Sequence, residues 1–366
     1  MNEETSPKHE TVLILQGGGS LGAYECGVFK ILDKHSIKFD VIVGTSIGAV
    51  NASIIAGSKS DNAAENLENF WLKLAENKTS IFPESVRSYY STSYASIWGN
   101  PHVALPIYGI PNPWLFSLNH PFLYDNTPLK NTVADFIDFN KLNKKYPRVI
   151  LTSVDIQDGK SVSFDNKKIQ IDQEHIMASA GYPFYGISWT KKDEKYFWDG
   201  SLLSNTPLRE AINASPILDK EVYIVSLFPK QQEYLPKNMM ESWHRARDIM
   251  HADKTEHNLK MSKVISRYVG TMKKMYDILQ KAELDKKSSE ELQKLEPEYH
   301  KLASKRGAMI QNIVKIERTE DVHFLLEDAD FSLSKIKHLI EQGQQDAEDV
   351  LRKNSSTQPK KSSKKK

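Results

Sequence analysis

Gly44-Thr45-Ser46-Ile47-Gly48 sets one hydroxyl between two glycines, directly after the apolar run Val41 to Val43. G-x-S-x-G between a strand and a helix is the pattern of a nucleophile elbow. The sharp turn exposes the serine oxygen, the flanking glycines avoid clashes, and the helix N-terminus adds positive potential where charge develops. The same five residues fit G-x-x-x-G, a helix-packing spacing, but that needs a continuous apolar helix, which Thr45, Ser46 and Asn51 argue against. A second constellation, Gly17-Gly18-Gly19-Ser20-Leu21-Gly22, follows the apolar run Thr11 to Leu15. Gly17, Gly19 and Gly22 satisfy G-x-G-x-x-G, the dinucleotide fingerprint, and Asp40 follows at about the usual separation. A ribose-binding acid belongs at the end of the second strand, however, and Asp40 precedes it. The alternative is an oxyanion hole, in which Gly17, Gly18 and Gly19 let backbone N–H groups converge on one point at the positive end of a helix. The serine motif one strand later favours that second reading.

A nucleophilic serine needs a base. Six histidines lie beyond Asp199: His244, His251, His257, His300, His323 and His338, all in a charged, helical stretch. The more pointed candidate is Asp199 itself, in Tyr196-Phe197-Trp198-Asp199-Gly200-Ser201. An Asp ending an apolar strand sits at the carboxyl edge of a parallel sheet, where Ser46 must also lie. A carboxylate close to the serine and partly desolvated can take its proton directly. Asp-Gly alone is equally an ordinary turn. The single cysteine, Cys26, falls within the first helix and reads as a small packed residue.

These residues require a sheet with helices on both faces. Strands are expected at Thr11–Leu15, Val41–Val43, Arg148–Val154, Lys195–Trp198 and Glu221–Leu227, with helices near Leu21–His35, Ile47–Ala56, Ala63–Ala75 and from Pro207. Such alternation implies a mostly parallel α/β sheet. Residues 88–124 interrupt it with nine aromatics, five prolines and no charge, either a lid or pocket wall or further core. From 238 onward Lys, Glu and Met recur with helical spacing over Met239–Gln280 and Ser288–Lys305. One more strand is expected at Ile310–Ile316 and an amphipathic helix at Leu333–Arg352, with Ser332 as its cap.

The 366 residues carry 49 Lys and Arg against 47 Asp and Glu, a formal net charge of +2. No whole-molecule field asks for nucleic acid. Seven of the bases crowd into 352–366, where no acid occurs, so a peripheral contact with an anionic membrane is a further expectation. One cysteine excludes a disulfide framework, and no acidic cluster suggests a metal. The opening MNEETSPKHE has no apolar stretch like a signal peptide's, and neither long uncharged stretch reads as a spanning helix, so a cytoplasmic protein is expected. Oligomeric state is left open.

The order GGGSLG, GTSIG and WDGS followed by Leu202-Leu203-Ser204-Asn205-Thr206-Pro207-Leu208 resembles the patatin-like phospholipases, over roughly residues 10–230. Bacterial members with a C-terminal extension are the most similar. Tyr124-Asp125-Asn126-Thr127-Pro128-Leu129 and Arg245-Ala246-Arg247-Asp248-Ile249-Met250 also resemble that subgroup. The resemblance implies a three-layer α/β/α fold and hydrolysis of phospholipid or lysophospholipid esters without a cofactor. Ser46 would be the nucleophile and Asp199 its proton acceptor. Gly17, Gly18 and Gly19 would form the oxyanion hole, supported by Gly22, Gly44, Gly48 and Gly200. The chain departs from the family at Ser20-Leu21, where a basic residue is frequent, and at Ser201, where the third motif has Gly or Ala. The implied organisation is a flexible 1–9, a catalytic domain over 10–230, a mainly helical extension over 231–352 and a disordered basic tail over 353–366. Two other readings stay open: a dinucleotide-binding oxidoreductase, resting on G-x-G-x-x-G, and a non-catalytic lipid-binding scaffold.

Overall fold

A computed structural model describes residues 9–75, 99–107, 120–216, 218–233, 235–283, 285–306, 310–319 and 327–357. The strands in chain order are β1 (His9–Leu15), β2 (Val41–Thr45), β3 (Leu105–Pro106), β4 (Tyr124–Asp125), β5 (Arg148–Asp155), β6 (Lys160–Asp165), β7 (Thr190–Lys192), β8 (Lys195–Asp199), β9 (Asp219–Ser226) and β10 (Ile310–Glu317). The helices are α1 (Gly22–Lys34), α2 (Ile47–Ala56), α3 (Ala63–Leu74), α4 (Thr127–Phe136), α5 (Phe139–Leu142), α6 (Gln173–Ala178), α7 (Leu208–Ala214), α8 (Met239–Leu279), α9 (Lys286–Arg306) and α10 (Leu333–Thr357).

The expected mostly parallel sheet is present: β10, β9, β1, β2 and β5 run parallel in that order, β6 and β8 pair antiparallel with β5, and β7 pairs antiparallel with β8. Alternation along β1 shows why the sheet is covered twice. Leu13 and Leu15 pack with Tyr24 and Leu32 of α1, Ala49 of α2 and Ile336 of α10. Val12 and Ile14 face the other way, onto Leu208 and Ala211 of α7. Successive strand residues point to opposite faces, so an unbroken apolar run is what a strand buried on both sides requires. At roughly 25 cal/mol per Å², each such fully buried Leu or Ile contributes about 2 kcal/mol.

Register levels the strand ends. Leu15 of β1 lies opposite both Gly44 of β2 and Val225 of β9, so the loops after these strands emerge together at the carboxyl edge. Gln16 ties two of them: its Oε1 accepts from Leu227 N at 2.7 Å. The pairing of β5 is less ordinary. Its residues 150–155 pair with β6 along one edge. The other edge is shared, with β2 ending at Thr45 opposite Thr152 and β8 ending at Asp199 opposite Ser153. The last residue of β8 and the residue after β2 therefore meet on neighbouring positions of one edge.

Residues beyond 238 contribute to the same sheet and core. β10 pairs with β9, and α10 lies across α1. The two helix backbones approach closely at Gly27 and Gly343, where a Cβ would strike the carbonyls of Ile340 and Tyr24. Tyr24 Oη donates to Asp346 at 2.9 Å across the same contact. Ser332 Oγ accepts from Lys335 N at 3.4 Å, the expected cap. The helix runs to Thr357. Residues 1–8 and 358–366, most of the aromatic stretch 88–124, and His323 lie outside the described residues. Among the described residues no helix is long and apolar enough to cross a membrane.

Candidate active site

Ser46 follows β2 directly and opens α2 with φ 56° and ψ −128°. A non-glycine residue rarely adopts positive φ, and holding it there costs on the order of 1–3 kcal/mol. The surroundings impose it. Ser46 N–H donates to Ser179 Oγ at 3.0 Å, and Ser179 Oγ donates on to Thr152 O at 2.6 Å. Thr45 Oγ1 is held 2.6 Å from Thr152 Oγ1. Gly48 lets α2 begin against the end of β1, since a Cβ there would lie 2.6 Å from the Gln16 carbonyl oxygen. Gly44 abuts Gly48 in the same way.

Asp199 is fully buried. Its Oδ1 accepts from Ser201 N at 2.8 Å and Ser201 Oγ at 2.7 Å, while Oδ2 is buried with no hydrogen-bond partner. Burial pushes its carboxyl up to about 6, against the opposing influence of the Ser201 and Ser46 hydroxyls. Ser46 is thus near enough to bias the carboxyl, yet it fills no full hydrogen-bond geometry at Oδ2. Gly200 packs on β5, where a Cβ would fall 2.5 Å from Thr152 Oγ1. Ser201, the departure from the family's third motif, supplies the Oγ–H that a Gly or Ala would lack.

The glycine loop lies between these groups and the C-terminal segment. Gly17 N–H donates to Asn205 Oδ1 and Asn205 Nδ2 donates to Gly17 O, both at 3.1 Å. A Cβ on Gly17 would come 2.7 Å from Ser46 Cβ. Gly18 is extended, and Gly19 has φ +55° with its α-carbon against the Asp328 carbonyl. Among the described residues no acceptor takes the Gly18 or Gly19 N–H. Gly22 accepts from Asn51 Nδ2 at 3.0 Å, and a Cβ there would meet Ile47 at 2.8 Å.

A cavity of about 410 Å³ opens beside Ser46 and Gly17–Gly19. Its walls include Leu74, Val103, Leu123, Leu129 and Ile187. Val103 and Leu123 belong to the described parts of the aromatic stretch. Trp114 and Phe116 lie outside the described residues.

Other sequence candidates fall elsewhere. Asp40 immediately precedes β2, where its Oδ2 accepts from Thr11 N at 2.8 Å near the start of β1, so it is at the opposite edge of the sheet from the glycine loop that follows β1. Of the histidines, His251 lines the cavity, its ring 4.8 Å from that of Phe228. Among the described residues no histidine hydrogen-bonds to Ser46. Cys26 is buried in the core, and burial pushes its thiol up. Among the described residues no group of three or more His, Cys, Asp or Glu is disposed to hold a metal. Sequence reasoning missed Ser179, which carries no motif. It also missed the role of Asn205, visible only as part of the stretch after WDGS. The place of Arg247, named in the sequence only within a segment that resembles the subgroup, is a third: it is held by Asp328 at 2.9 Å and Asp248 at 3.0 Å on the cavity wall.

Asn205→Ala removes both hydrogen bonds to Gly17. Ester turnover is expected to fall at least tenfold, with melting lowered by the loss of two buried bonds, at about 1 kcal/mol each. Steady-state kinetics alongside thermal melting checks this; unchanged turnover would mean the loop holds itself.

A family model described as "Patatin-like phospholipase" matches residues 13–212, and a second, DUF3734, described as "Patatin phospholipase", matches residues 249–363. A cGAMP-activated phospholipase of Escherichia coli is 24% identical over 256 residues, covering 61% of this chain and 63% of the relative. One from Vibrio cholerae is 26% identical over 218 residues, covering 54% and 55%. The chain thus spans about three fifths of the length of these curated relatives. Among solved structures, VipD from Legionella pneumophila aligns at TM-score 0.38 and 11% identity, over 95% of this chain and 67% of its own. The type III effector ExoU aligns at TM-score 0.36 and 14% identity, over 95% and 53%. With a family model over more than half its length, three motifs on the elements that need them and a mostly parallel α/β sheet, this chain belongs to the patatin-like phospholipase family.

Proposed function

We propose that the chain is a serine acyl hydrolase acting on carboxylic esters of phospholipids or lysophospholipids, through Ser46 and Asp199. The observation that carries this reading is their placement. A strained serine and a buried carboxylate with an unpartnered oxygen lie at neighbouring positions on one edge of β5, beside an apolar cavity.

The chemistry follows from that arrangement. The Asp199 carboxylate takes the Ser46 hydroxyl proton as Oγ attacks the ester carbonyl carbon. The carbonyl oxygen becomes an oxyanion and accepts from the free N–H groups of the Gly17–Gly19 loop, those of Gly18 and Gly19, while Asn205 holds Gly17. The intermediate collapses, the ester C–O bond breaks, and the alcohol leaves with the proton from Asp199. Water then gives a proton to Asp199 and attacks the acyl-serine. The fatty acid departs and Ser46 regains its proton. The acyl chain lies along the apolar walls, at about 0.8 kcal/mol per buried CH₂.

Labelling with a fluorophosphonate probe, followed by mass spectrometry of the modified peptide, tests the nucleophile directly. Modification of Ser46 is expected; modification elsewhere, or none, rejects the assignment. Ser201→Ala probes the base. Losing a donor to the carboxylate disfavours its ionised form, so the rising limb of kcat/KM against pH should move to higher pH. An unmoved limb would separate the pH dependence from Asp199.

A further inference from the structure

We propose that the exposed face of α8 docks on an anionic phospholipid bilayer surface, with the cavity mouth at one end of the docking stripe. α8 has 41 residues and so runs about 60 Å. Met239, Trp243, Met250, Tyr268, Met272 and Met275 are all exposed along it, Trp243 at 58% and Tyr268 at 68%. At about 100° per residue these six fall within an arc of roughly 60°, so they form one straight stripe. Isolated apolar side chains on a surface need no explanation, but two clusters on one line of the same helix do, one of Met239, Trp243 and Met250 beside the cavity and one of Tyr268, Met272 and Met275 beside the basic row.

The borders of the stripe differ. On one side Tyr276 stacks on Tyr299 of α9, with ring centroids 4.1 Å apart, so that flank is packed against protein. On the other, Lys260, Lys263, Arg267 and Lys274 fall within a second arc of roughly 60° and make a basic row parallel to the apolar one. Residues 260–281 hold six Lys and Arg and a single acid, Asp277. An apolar stripe beside a basic row is the pattern of a helix lying in a bilayer interface, where the apolar side chains enter the headgroup boundary and the cations meet lipid phosphates. A protein partner would need acids matched to that row, whereas an anionic bilayer presents them everywhere.

The stripe also begins where lipid would have to enter. One turn past Trp243, Arg247 lines the cavity, and His251 lines it one turn further. Phe184, on the cavity rim, is 77% exposed. Docking along α8 would therefore set the mouth against the surface that holds the substrate. The choice of lipid as occupant rests on the acyl hydrolase reading; binding itself does not depend on the chemistry.

The test uses the full chain carrying Ser46→Ala, so that vesicles are not consumed. Co-sedimentation compares phosphatidylcholine vesicles with vesicles containing 30 mol% phosphatidylglycerol (~0.3 mole fraction, enough to set a negative surface potential), at low and high salt. One variant combines Tyr268→Ser, Met272→Ser and Met275→Ser; a second combines Lys263→Glu, Arg267→Glu and Lys274→Glu. Each should bind the anionic vesicles at least tenfold more weakly than the parent, and parent binding should weaken as salt rises. Circular dichroism checks helix content. The same variants with Ser46 intact should turn over a short soluble ester at the parental rate, a readout that fails separately if the catalytic reading is wrong. The proposal is overturned if the parent shows no preference for anionic vesicles, or if a folded variant binds them as the parent does. It is likewise overturned if light scattering shows a dimer that the serine variant converts to monomer with vesicle binding unchanged, which would make the stripe a contact between two copies.

Discussion

Ser46→Ala is expected to lower ester turnover at least about a thousandfold while the protein melts within a degree or two of the parent. The reason for the loss is that no covalent acyl-enzyme can form. What remains is the catalysis a preorganised oxyanion site and bound substrate provide without the nucleophile. The fold should be spared because nothing structural depends on the hydroxyl. The main-chain N–H that anchors the elbow to Ser179 is kept, and the positive φ that strains serine strains alanine equally. Ser46→Gly should lose the same activity but gain stability, since glycine adopts φ 56° at no steric cost. Turnover of p-nitrophenyl butyrate with parallel melting curves decides this. Activity like the parent's in Ser46→Ala would remove the serine from the mechanism.

The positions of Ser46 and the glycine loop at the carboxyl edge of the sheet could be anticipated because each follows a strand that is apolar for a clear reason. The runs TVLIL and VIV are buried on both faces. Continuous apolar runs of that length between glycine clusters leave little other than a buried parallel strand. What sequence could not supply was the way the edge is shared. That β8 follows β2 along one side of β5, with the hairpin partner β6 on the other, depends on pairing β5 with β2, more than a hundred residues before it, and with β8, more than forty residues after it. Neither Thr152, which supports both motifs, nor Ser179, which steadies the Ser46 amide, lies near them in sequence or has a distinctive pattern. The C-terminal part shows the same limit. Helical periodicity beyond 238 is plain, but its reach back to the glycine loop, through Asp328 against Gly19 and Ser20 Oγ donating to Glu327 O at 3.0 Å, is a tertiary fact. The exposed row on α8 has a strong periodic signature, yet only burial separates its exposed stripe from the one that packs.

Asp199→Asn should suppress turnover about as severely as loss of the serine, and unlike that change it should alter stability in a pH-dependent way. The carboxyl in the folded chain is pushed from its ordinary 3.8 up to about 6 by full burial. Kinetically, the carboxylate form is the base, so kcat/KM of the parent should rise with pH through a value near 6 and level off above it. Thermodynamically, the folded state holds this proton more tightly than the unfolded chain does. Stability from this group is therefore fully present below about pH 4 and is lost as pH rises through about 6. At roughly 1.4 kcal/mol per tenfold change in proton affinity, the loss amounts to about 3 kcal/mol by pH 8. Asparagine never ionises. It can keep accepting from Ser201 through its oxygen, while its amide replaces the Oδ2 that now has no donor. Relative to the parent, Asp199→Asn should gain stability between pH 4 and pH 8, by up to that amount. Melting both proteins across this range reads the effect without reference to catalysis. A gap that stays constant from pH 4 to pH 8 would mean the carboxyl is not raised. An active Asp199→Asn alongside an inactive His251→Ala would replace the Ser–Asp pair with a Ser–His one. If the stability gain and the activity loss appear together, the buried carboxylate is a group whose instability in the fold is inseparable from its service as a base.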